Sequence, residues 1–242
     1  MLCSVPPQSR ESRGFLGAAQ GQKGKELTLN RKPAGKGRST AMRTAMFGGT
    51  FDPIHNGHVA LVRCFADLLD LDRVHVVPTR TPPHKATSQT PGDMRLEMCR
   101  LALEDDPRLV ASDIELRREG TSYTFYTVQT LLEEDPLGKV YLITGADMFL
   151  SLTSWHRFDE LRELVTFCTV PRDDVTADQL RAHADYLESL GCSTFVAEMD
   201  LVRVSSTEVR RRAAEGQPLD ELVPPQVERY IAEHGLYRPR SE

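Results

Sequence analysis

Several features are missing from this sequence of 242 residues, and each absence narrows the possible classes of protein. Its five cysteines are odd in number and widely spaced, and they never form a Cys-x-x-Cys pair, so they are predicted to be reduced packing residues. No apolar run reaches the ~18 to 20 residues that cross a bilayer, and the N-terminus lacks the apolar core of a secretory signal. These absences predict a cytosolic protein with no membrane partner.

A general excess of basic residues is also missing from most of the chain. Residues 1–41 carry eight basic and two acidic residues, a net charge of +6, whereas the rest carries 22 basic and 33 acidic residues, a net charge of −11. A nucleic acid backbone requires a broad positive field, so we expect no nucleic-acid partner for the folded part. A small anionic ligand requires only a local positive site.

The first 41 residues differ in composition from the rest of the chain. They are rich in Gly, Ser, Gln and Lys and show no sustained apolar period, so we expect them to be disordered. Met42 stands just before the first strand-like segment, and a second hypothesis is that it is the natural start. An alternative role for this basic tail is binding to a nucleic acid or an anionic surface. Residues 42–242 are predicted to form a single domain, with homo-oligomerisation left open.

Short β-rich runs alternate with helical patterns from residue 43 onward. Strands are predicted at 44–47, 74–78, 109–116, 140–144 and 165–170, and the intervening segments carry apolar residues at helical spacing, such as Val62, Phe65 and Leu69. Two further helices are predicted at 206–214 and 225–234, the second opening on a proline. Strand and helix in alternation indicate an α/β fold, namely a Rossmann-like doubly wound parallel sheet with helices on both faces and a C-terminal helical segment.

Two common phosphate-binding motifs are absent, and a different glycine-rich segment is present. Neither Gly-Lys-Ser/Thr nor Gly-x-Gly-x-x-Gly occurs, but residues 48–58 read Gly-Gly-Thr-Phe-Asp-Pro-Ile-His-Asn-Gly-His. This segment joins the first strand to the first helix, where open parallel sheets bind ligands. Gly48 and Gly49 permit close backbone approach, and N–H groups at the helix start favour phosphate. His55 and His58 are spaced so that one turn can direct both imidazoles at one group of oxygens.

The string 48–58 resembles the signature of the nucleotidyltransferase α/β-phosphodiesterase superfamily, with a complete match at His55, Gly57 and His58. Residues 204–210, Val-Ser-Ser-Thr-Glu-Val-Arg, resemble a second element of that superfamily, in which hydroxyls and an arginine contact the outer phosphates. The alternative interpretation of this segment is a plain helix N-cap followed by a solvated arginine run. The resemblance implies catalytic roles for His55, His58 and Arg210. It also implies that ATP is bound by Gly48, Gly49, Thr50, Phe51, Gly57, Gly145, Asp147, Ser205, Ser206 and Thr207.

Three further segments resemble the bacterial nicotinate-nucleotide adenylyltransferases. Pro82-Pro83-His84-Lys85 is similar to a phosphate-contacting loop, which implies a catalytic role for Lys85. Ser122-Tyr123-Thr124 is similar to the segment that lines the nicotinate pocket. Gly145-Ala146-Asp147 followed by Trp155 is similar to the pattern in which the aspartate binds a ribose and the tryptophan stacks on the pyridine ring. Nicotinate-nucleotide contacts are therefore expected from Tyr123, Thr124, Trp155 and His156, whereas Tyr126, where the family usually has aspartate, receives no role.

The resemblance implies an enzyme that transfers the adenylyl group of ATP to nicotinate mononucleotide, giving nicotinate adenine dinucleotide and pyrophosphate in NAD biosynthesis. Mg²⁺ is expected as a cofactor bound through the ATP phosphates, with no metal site built from protein ligands. Two alternatives remain open at this point. The acceptor could be another phosphorylated compound, such as phosphopantetheine, or the chain could be a catalytically silent nucleotide-binding regulator.

Overall fold

The computed structural model describes residues 42–82, 88, 90–134, 140–172, 175–199 and 203–238. Two of the predictions above fall outside these residues. The disordered tail predicted at 1–41 is one of them, and the loop position of Lys85 is the other.

Six parallel strands form one sheet in the described part of the chain. They are β1 Thr44–Gly49, β2 Arg73–Pro78, β3 Leu109–Ala111, β4 Val140–Ile143, β5 Val165–Thr169 and β6 Ser193–Val196. Their order in the sheet is β3-β2-β1-β4-β5-β6. The direction in which strands are added reverses between β1 and β4, and a crevice opens at the carboxyl ends of strands at such a point.

Helices occupy most of the connections between these strands. They are α1 Asn56–Leu68, α2 Gly92–Leu103, α3 Ile114–Arg117, α4 Thr124–Glu134, α5 Ala146–Leu150, α6 Phe158–Leu164, α7 Ala177–Ser189, α8 Ser206–Ala214 and α9 Pro225–Glu233, with a 3₁₀ turn at Leu152–Ser154. The C-terminal helices agree closely with the predicted ones, and Pro225 stands in the first turn of α9 as expected.

The sheet buries apolar side chains on both faces, as a doubly wound sheet requires. Ala45 and Phe47 of β1 belong to one buried cluster, which also contains side chains of α1, α2, α8 and α9. Met46, which points to the opposite face, belongs to a second cluster with side chains of α4, α5, α6 and α7. Alternate residues of one strand therefore enter different cores. The predicted α/β fold class is confirmed.

One predicted element is wrong in part, and two elements lie between residues 171 and 203, where no element was predicted. The strand predicted at 109–116 ends at Ala111, and α3 begins at Ile114. The ladder ends there because the last bond to β2 runs from the N–H of Ser112 to the carbonyl of Val76, and the chain then turns to bury Ile114. The other two elements are α7 and β6. A Thr176 to Gln179 capping box at the start of α7 is the sequence signal that could have found that helix.

Candidate active site

Two cavities open at the carboxyl ends of β1 and β4, where the strand order reverses. The larger, of about 750 Å³, is lined by the segment from Gly48 to His58 together with residues that follow β5. The smaller, of about 190 Å³, is lined by the start of α4 and the segment around Trp155. Both are lined by Gly48, Gly49, Thr50 and Gly145. A group bound in one cavity can therefore meet a group bound in the other across these four residues.

Two of the shared glycines differ in what an added side chain would meet. A Cβ atom on Gly49 would lie 2.9 Å from the ring of Phe51, so the close approach of this ring requires glycine. Gly145 has an ordinary φ of −68°, and no atom lies within 4 Å of the position its Cβ would take. Backbone geometry therefore does not require glycine at 145. A side chain there would project into space at the junction of the cavities.

The loop that follows β1 is held by a buried arginine that sequence reasoning missed. Arg95 of α2 is 2% exposed, and its guanidinium donates to the carbonyls of Thr50 at 2.5 Å, Thr79 at 2.8 Å and Thr90 at 3.1 Å. These bonds join the ends of β1 and β2 to the start of α2. An arginine inside an amphipathic helix pattern is typical of an exposed face, so the sequence contained no signal for this contact.

Asp52 ties the same loop to distant parts of the chain. Its carboxylate accepts hydrogen bonds from the hydroxyl of Ser88 at 2.6 Å and from that of Tyr237 at 2.7 Å. Burial and the carboxylate of Asp52 raise the pKa of Tyr237, so this tyrosine stays a hydrogen-bond donor. Phe51, just before Asp52, adopts a φ of 47°, which is uncommon for a residue with a side chain. The contacts of the loop hold it in this conformation.

His55 and His58 lie together in the larger cavity, as their spacing predicts. The two rings stack with centroids 3.5 Å apart and planes 17° apart. Nδ1 of His55 accepts the backbone N–H of His58 at 3.3 Å, so His55 caps α1. A neutral His55 then carries its proton on Nε2 and can donate from there. Nδ1 of His58 is buried and has no hydrogen-bond partner within the described residues.

Both histidines are neutral in the unliganded site. Burial, together with the positive charge of Arg172, lowers the pKa of His55 from 6.5 to about 4. Burial, the neighbouring ring of His55 and the charge of Arg172 hold the pKa of His58 well below 6.5. Near neutral pH the pair therefore offers N–H donors rather than full positive charges. The positive charge of the larger cavity comes from arginine.

Arg172 is the second arginine that sequence reasoning missed. It follows β5 and lines the larger cavity together with Arg203, and its Nη2 donates to the carbonyl of Val204 at 3.3 Å. Its position was a usable signal, because residues just after a strand of a parallel sheet lie on the ligand-binding edge.

The segment that begins α8 is divided between the cavity and the loop after β1. Ser206 lines the larger cavity, and its hydroxyl donates to the carbonyl of Pro53 at 2.9 Å. Ser205 caps α8 by accepting the N–H of Glu208 at 3.2 Å, which matches the alternative interpretation of a helix cap. Arg210 donates to the carbonyl of Asp52 at 2.7 Å and to the hydroxyl of Thr207 at 3.2 Å.

Among the residues of segment 204–210 that were predicted to bind phosphate, Ser206 lies in the wall of the larger cavity. Ser205, Thr207 and Arg210 lie next to it and do not line it.

The smaller cavity contains the residues predicted to receive a nicotinate nucleotide. Tyr123, Thr124, Trp155 and His156 all line it. The indole Nε1 of Trp155 donates to the hydroxyl of Ser151 at 3.4 Å, and the ring of Trp155 is half-buried. The His156 ring stacks on Tyr123, with centroids 4.2 Å apart. The rest of the lining is apolar apart from threonine, serine and glutamate side chains, so this cavity suits a flat ring that carries polar substituents.

Tyr126 contacts this aromatic group from the next turn of α4. Its hydroxyl lies 3.3 Å from Nε2 of His156, and the guanidinium of Arg118 lies 5.8 Å from the centre of its ring. The tyrosine therefore has a contact of its own at the position where the bacterial enzymes usually have aspartate.

Two other predicted site residues lie at the edges of the site. Asp147 is exposed in the first turn of α5 and lines neither cavity, although its neighbours Ala146 and Met148 do. Gly57 lines the larger cavity, near its histidines.

No cluster of three or more histidine, cysteine, aspartate or glutamate side chains placed to hold a metal occurs within the described ranges. No described helix is both long enough and apolar enough to cross a bilayer.

The crevice at the strand reversal is lined by the two histidines and by Arg172, an arrangement that suits a ligand carrying phosphate groups. Residues 46–212 match the family described as cytidylyltransferase-like, and the chain belongs to this family. The superfamily resemblance of residues 48–58 and 204–210 is thus confirmed.

Closer relatives are proteins named "Probable nicotinate-nucleotide adenylyltransferase". The one from Symbiobacterium thermophilum is 42% identical over 198 residues, which cover 81% of this chain and 95% of that protein. The one from Neisseria meningitidis serogroup B is 38% identical, covering 81% of this chain and 98% of that protein.

Solved structures with the same fold include Plasmodium falciparum nicotinic acid mononucleotide adenylyltransferase complexed with NaAD. Its TM-score is 0.66 at 18% identity, and the match covers 81% of this chain and 97% of that chain. A structure of the same enzyme complexed with APC matches with a TM-score of 0.64 at 17% identity, covering 81% of this chain and 97% of that one. At these identities the likeness concerns the fold.

Proposed function

We propose that this protein transfers the adenylyl group of ATP to nicotinate mononucleotide, forming nicotinate adenine dinucleotide and pyrophosphate in NAD biosynthesis. The observation that carries the proposal is the pair of cavities that share Gly48, Gly49, Thr50 and Gly145. One cavity is lined by histidine and arginine and suits a polyphosphate. The other is lined by aromatic rings and suits a pyridine. The names of the relatives point to the same reaction.

The reaction proceeds by direct attack between two bound anions. The 5′-phosphate oxygen of nicotinate mononucleotide attacks the α-phosphorus of ATP, and the bond between this phosphorus and the bridging oxygen of the β-phosphate breaks. Pyrophosphate leaves with that oxygen, and no covalent enzyme intermediate is needed. Because a phosphate monoester is already nucleophilic, the protein contributes mainly by orienting the two substrates and stabilising charge on the transferred group.

His55 and His58 are placed to stabilise the α-phosphoryl group. Both rings line the larger cavity and carry one N–H each when neutral, and that of His55 is on Nε2, because its Nδ1 accepts the backbone N–H of His58. A phosphate that accepts these N–H groups also raises the low pKa of both rings, because the added negative charge favours the imidazolium form. Donors fixed in a buried site stabilise a transition state without first having to reorganise.

The outer phosphates of ATP are held by the positive end of the larger cavity. Arg172 lines this end and lies close enough to lower the pKa of both histidines. Ser206 adds a hydroxyl to the same wall. Arg210 and Lys85 are further candidate phosphate contacts. Arg210 would have to leave the carbonyl of Asp52 to reach ATP, whereas Lys85 lies outside the described residues.

The remaining ATP contacts proposed from the motifs surround these groups. They are backbone approach at Gly48, Gly49, Thr50, Phe51, Gly57 and Gly145, a ribose contact at Asp147, and hydroxyl or N–H contacts at Ser205 and Thr207.

The pyridine of the acceptor fits the smaller cavity. Trp155 presents a ring on which a flat electron-poor heterocycle can stack. Thr124 stands at the N-terminus of α4, where N–H groups lack helical partners and attract a carboxylate, so it would bind the ring carboxylate of nicotinate. Tyr123 and His156 form a stacked pair in the wall of the same cavity.

A divalent metal is expected with ATP, as in nucleotidyltransferases generally. The described lining of the larger cavity contains histidine, arginine, serine and threonine but no carboxylate, which fits Mg²⁺ held by ATP oxygens and water. When bound, Mg²⁺ neutralises negative charge on the phosphates.

The direct test measures pyrophosphate release and dinucleotide formation with ATP and one acceptor at a time. We expect turnover with nicotinate mononucleotide to exceed turnover with nicotinamide mononucleotide or phosphopantetheine. Preference for phosphopantetheine would reassign the acceptor, and absence of pyrophosphate release with every acceptor would identify a silent nucleotide-binding regulator.

The catalytic assignment is tested by His58→Ala. Losing a preorganised donor to the transferred phosphoryl group typically lowers kcat by about 100 to 1,000-fold. Activity close to that of the parent would contradict the role of this histidine.

A further inference from the structure

Glu115 is a buried carboxylate in the wall of the smaller cavity, and the proposed mechanism does not use it. It lies on α3 and is 3% exposed. Burying a carboxylate without hydrogen-bond partners is costly, so the contacts that this carboxylate makes indicate its role.

One oxygen of Glu115 is bonded to helix α4. The hydroxyl of Thr127, which is fully buried, donates to Oε1 of Glu115 at 2.9 Å. The same hydroxyl accepts from Nη2 of Arg118 at 3.0 Å, and this nitrogen also lies 3.4 Å from the carbonyl of Tyr123. A carboxylate and a guanidinium therefore meet at one hydroxyl, one turn beyond the residues that face the acceptor.

The other side of the carboxylate faces the end of β2. The hydroxyls of Ser122 and Thr79 lie next to it, and Oε2 accepts no hydrogen bond within the described ranges. The Ser122 hydroxyl accepts the N–H groups of Arg80 and Thr81, each at 3.3 Å, and the N–H of Ser122 donates to the carbonyl of Thr81 at 2.9 Å. The segment 122–124 is thus joined to the loop after β2.

We infer that Glu115 is a positioning residue for the acceptor: it binds the Thr127 hydroxyl of α4 and lies against Ser122 and Thr79, and so holds the start of α4, with segment 122–124, against the end of β2. Tyr123 and Thr124 are then already held in the conformation that contacts the pyridine before the ligand binds. This reduces the conformational entropy that binding costs. This inference rests on the proposed function, because it takes nicotinate mononucleotide as the ligand of the smaller cavity. It predicts that changing Glu115 raises the KM of the acceptor but leaves kcat and the KM of ATP nearly unchanged.

The first variant pair compares Glu115→Leu with Glu115→Gln. Leucine has a similar size and cannot accept the hydrogen bond of the Thr127 hydroxyl, so we expect the acceptor KM to rise about tenfold, with kcat and the ATP KM within about twofold of the parent. Glutamine retains an oxygen for the Thr127 hydroxyl and is expected to recover most of the affinity.

A second pair on α4 guards against misfolding at position 115. Thr127→Val removes the hydroxyl that contacts Glu115 and is expected to raise the acceptor KM. Thr130→Val is the matched control, because the Thr130 hydroxyl bonds the carbonyl of Tyr126 one turn back and lies on the exposed side. It should behave as the parent. Combining Glu115→Leu with Thr127→Val should add little, since both changes break one network.

Binding without turnover provides an independent readout. Trp155 is the single tryptophan of the chain and lines the cavity, so its fluorescence can report titration with nicotinate mononucleotide alone. The Kd from this titration should rise in step with the acceptor KM. Parent-like acceptor KM in Glu115→Leu and Thr127→Val, or an equal rise in the ATP KM, would overturn the inference while leaving the function intact. A parent protein that neither binds nor uses the nucleotide would overturn the proposed function, and the inference with it.

Discussion

The buried histidine pair should make the unliganded protein sensitive to mild acid. Burial and the charge of Arg172 lower the pKa of His55 from 6.5 to about 4. Between these two values the unfolded chain binds a proton at this ring and the folded chain does not, so the free energy of unfolding falls as the pH falls from 6.5 to about 4. Above pH 6.5 the ring is neutral in both states, and the full stability is present.

The size of the loss follows from the two pKa values. One pH unit of difference corresponds to about 1.4 kcal/mol at 25 °C, and the titration of His55 amounts to about 2 kcal/mol between pH 7 and pH 5. His58 acts in the same direction, because its pKa also lies well below 6.5. Since typical domains are stable by roughly 5 to 15 kcal/mol, a loss of this size is measurable.

Urea unfolding followed by circular dichroism at pH 7 and at pH 5, without nucleotide, measures this loss. His55→Asn is the informative variant, because asparagine can still cap α1 but does not titrate. We expect the difference between pH 7 and pH 5 to shrink by about 2 kcal/mol in this variant. Equal stability of the parent at both pH values, or an unchanged pH difference in His55→Asn, would refute the assignment of a neutral buried pair.

Substitutions at three positions test other parts of the site. Gly145→Ala should keep the thermal stability of the parent, because φ is ordinary and no atom lies within 4 Å, but steady-state kinetics should show a higher KM for both substrates. Arg172→Met should raise the KM of ATP by about tenfold or more and change the KM of the acceptor little. The binding of ATP to this variant should depend less on ionic strength than its binding to the parent. Tyr126→Phe removes the hydroxyl that contacts His156 and should raise the acceptor KM about two- to fivefold, and Tyr126→Asp should restore it. Tyr230→Phe is the control and should have no effect, because Tyr230 stacks on His234 and lines neither cavity.

Local patterns were sufficient to predict most of the fold. The alternation of apolar runs and helical spacings gave the positions of β1, β2, β4 and β5 to within a few residues, because each of these strands is buried along most of its length. The strand predicted at 109–116 was too long because alternation continues after the sheet ends, and pairing with β2 decides where β3 stops. The edge strand β6, which is only partly buried, carries too weak an apolar signal to be recognised.

The same contrast applies to the candidate site. Residues contiguous in sequence, such as the histidines of 48–58 and the serines of 204–210, were recognisable because their spacing on one turn already brings their chemistry together. Arg95 and Glu115 were not, because each acquires its role from partners that are distant in the chain, and the only signal for Arg172 was its position just after β5. An arginine that binds three carbonyls cannot be told from a solvated one by its neighbours in sequence.

By itself the sequence determined the parallel α/β order and the histidine pair at the first strand end, because both depend on short-range periodicity. Its resemblance to the bacterial enzymes also led us to predict an acceptor site at Tyr123, Thr124, Trp155 and His156. Only the tertiary structure decided that these residues and the histidines line cavities sharing Gly48, Gly49, Thr50 and Gly145, and that both histidines are neutral. The physical reason is that burial and electrostatic fields are set by all the groups that surround a site, and folding brings those groups from throughout the chain.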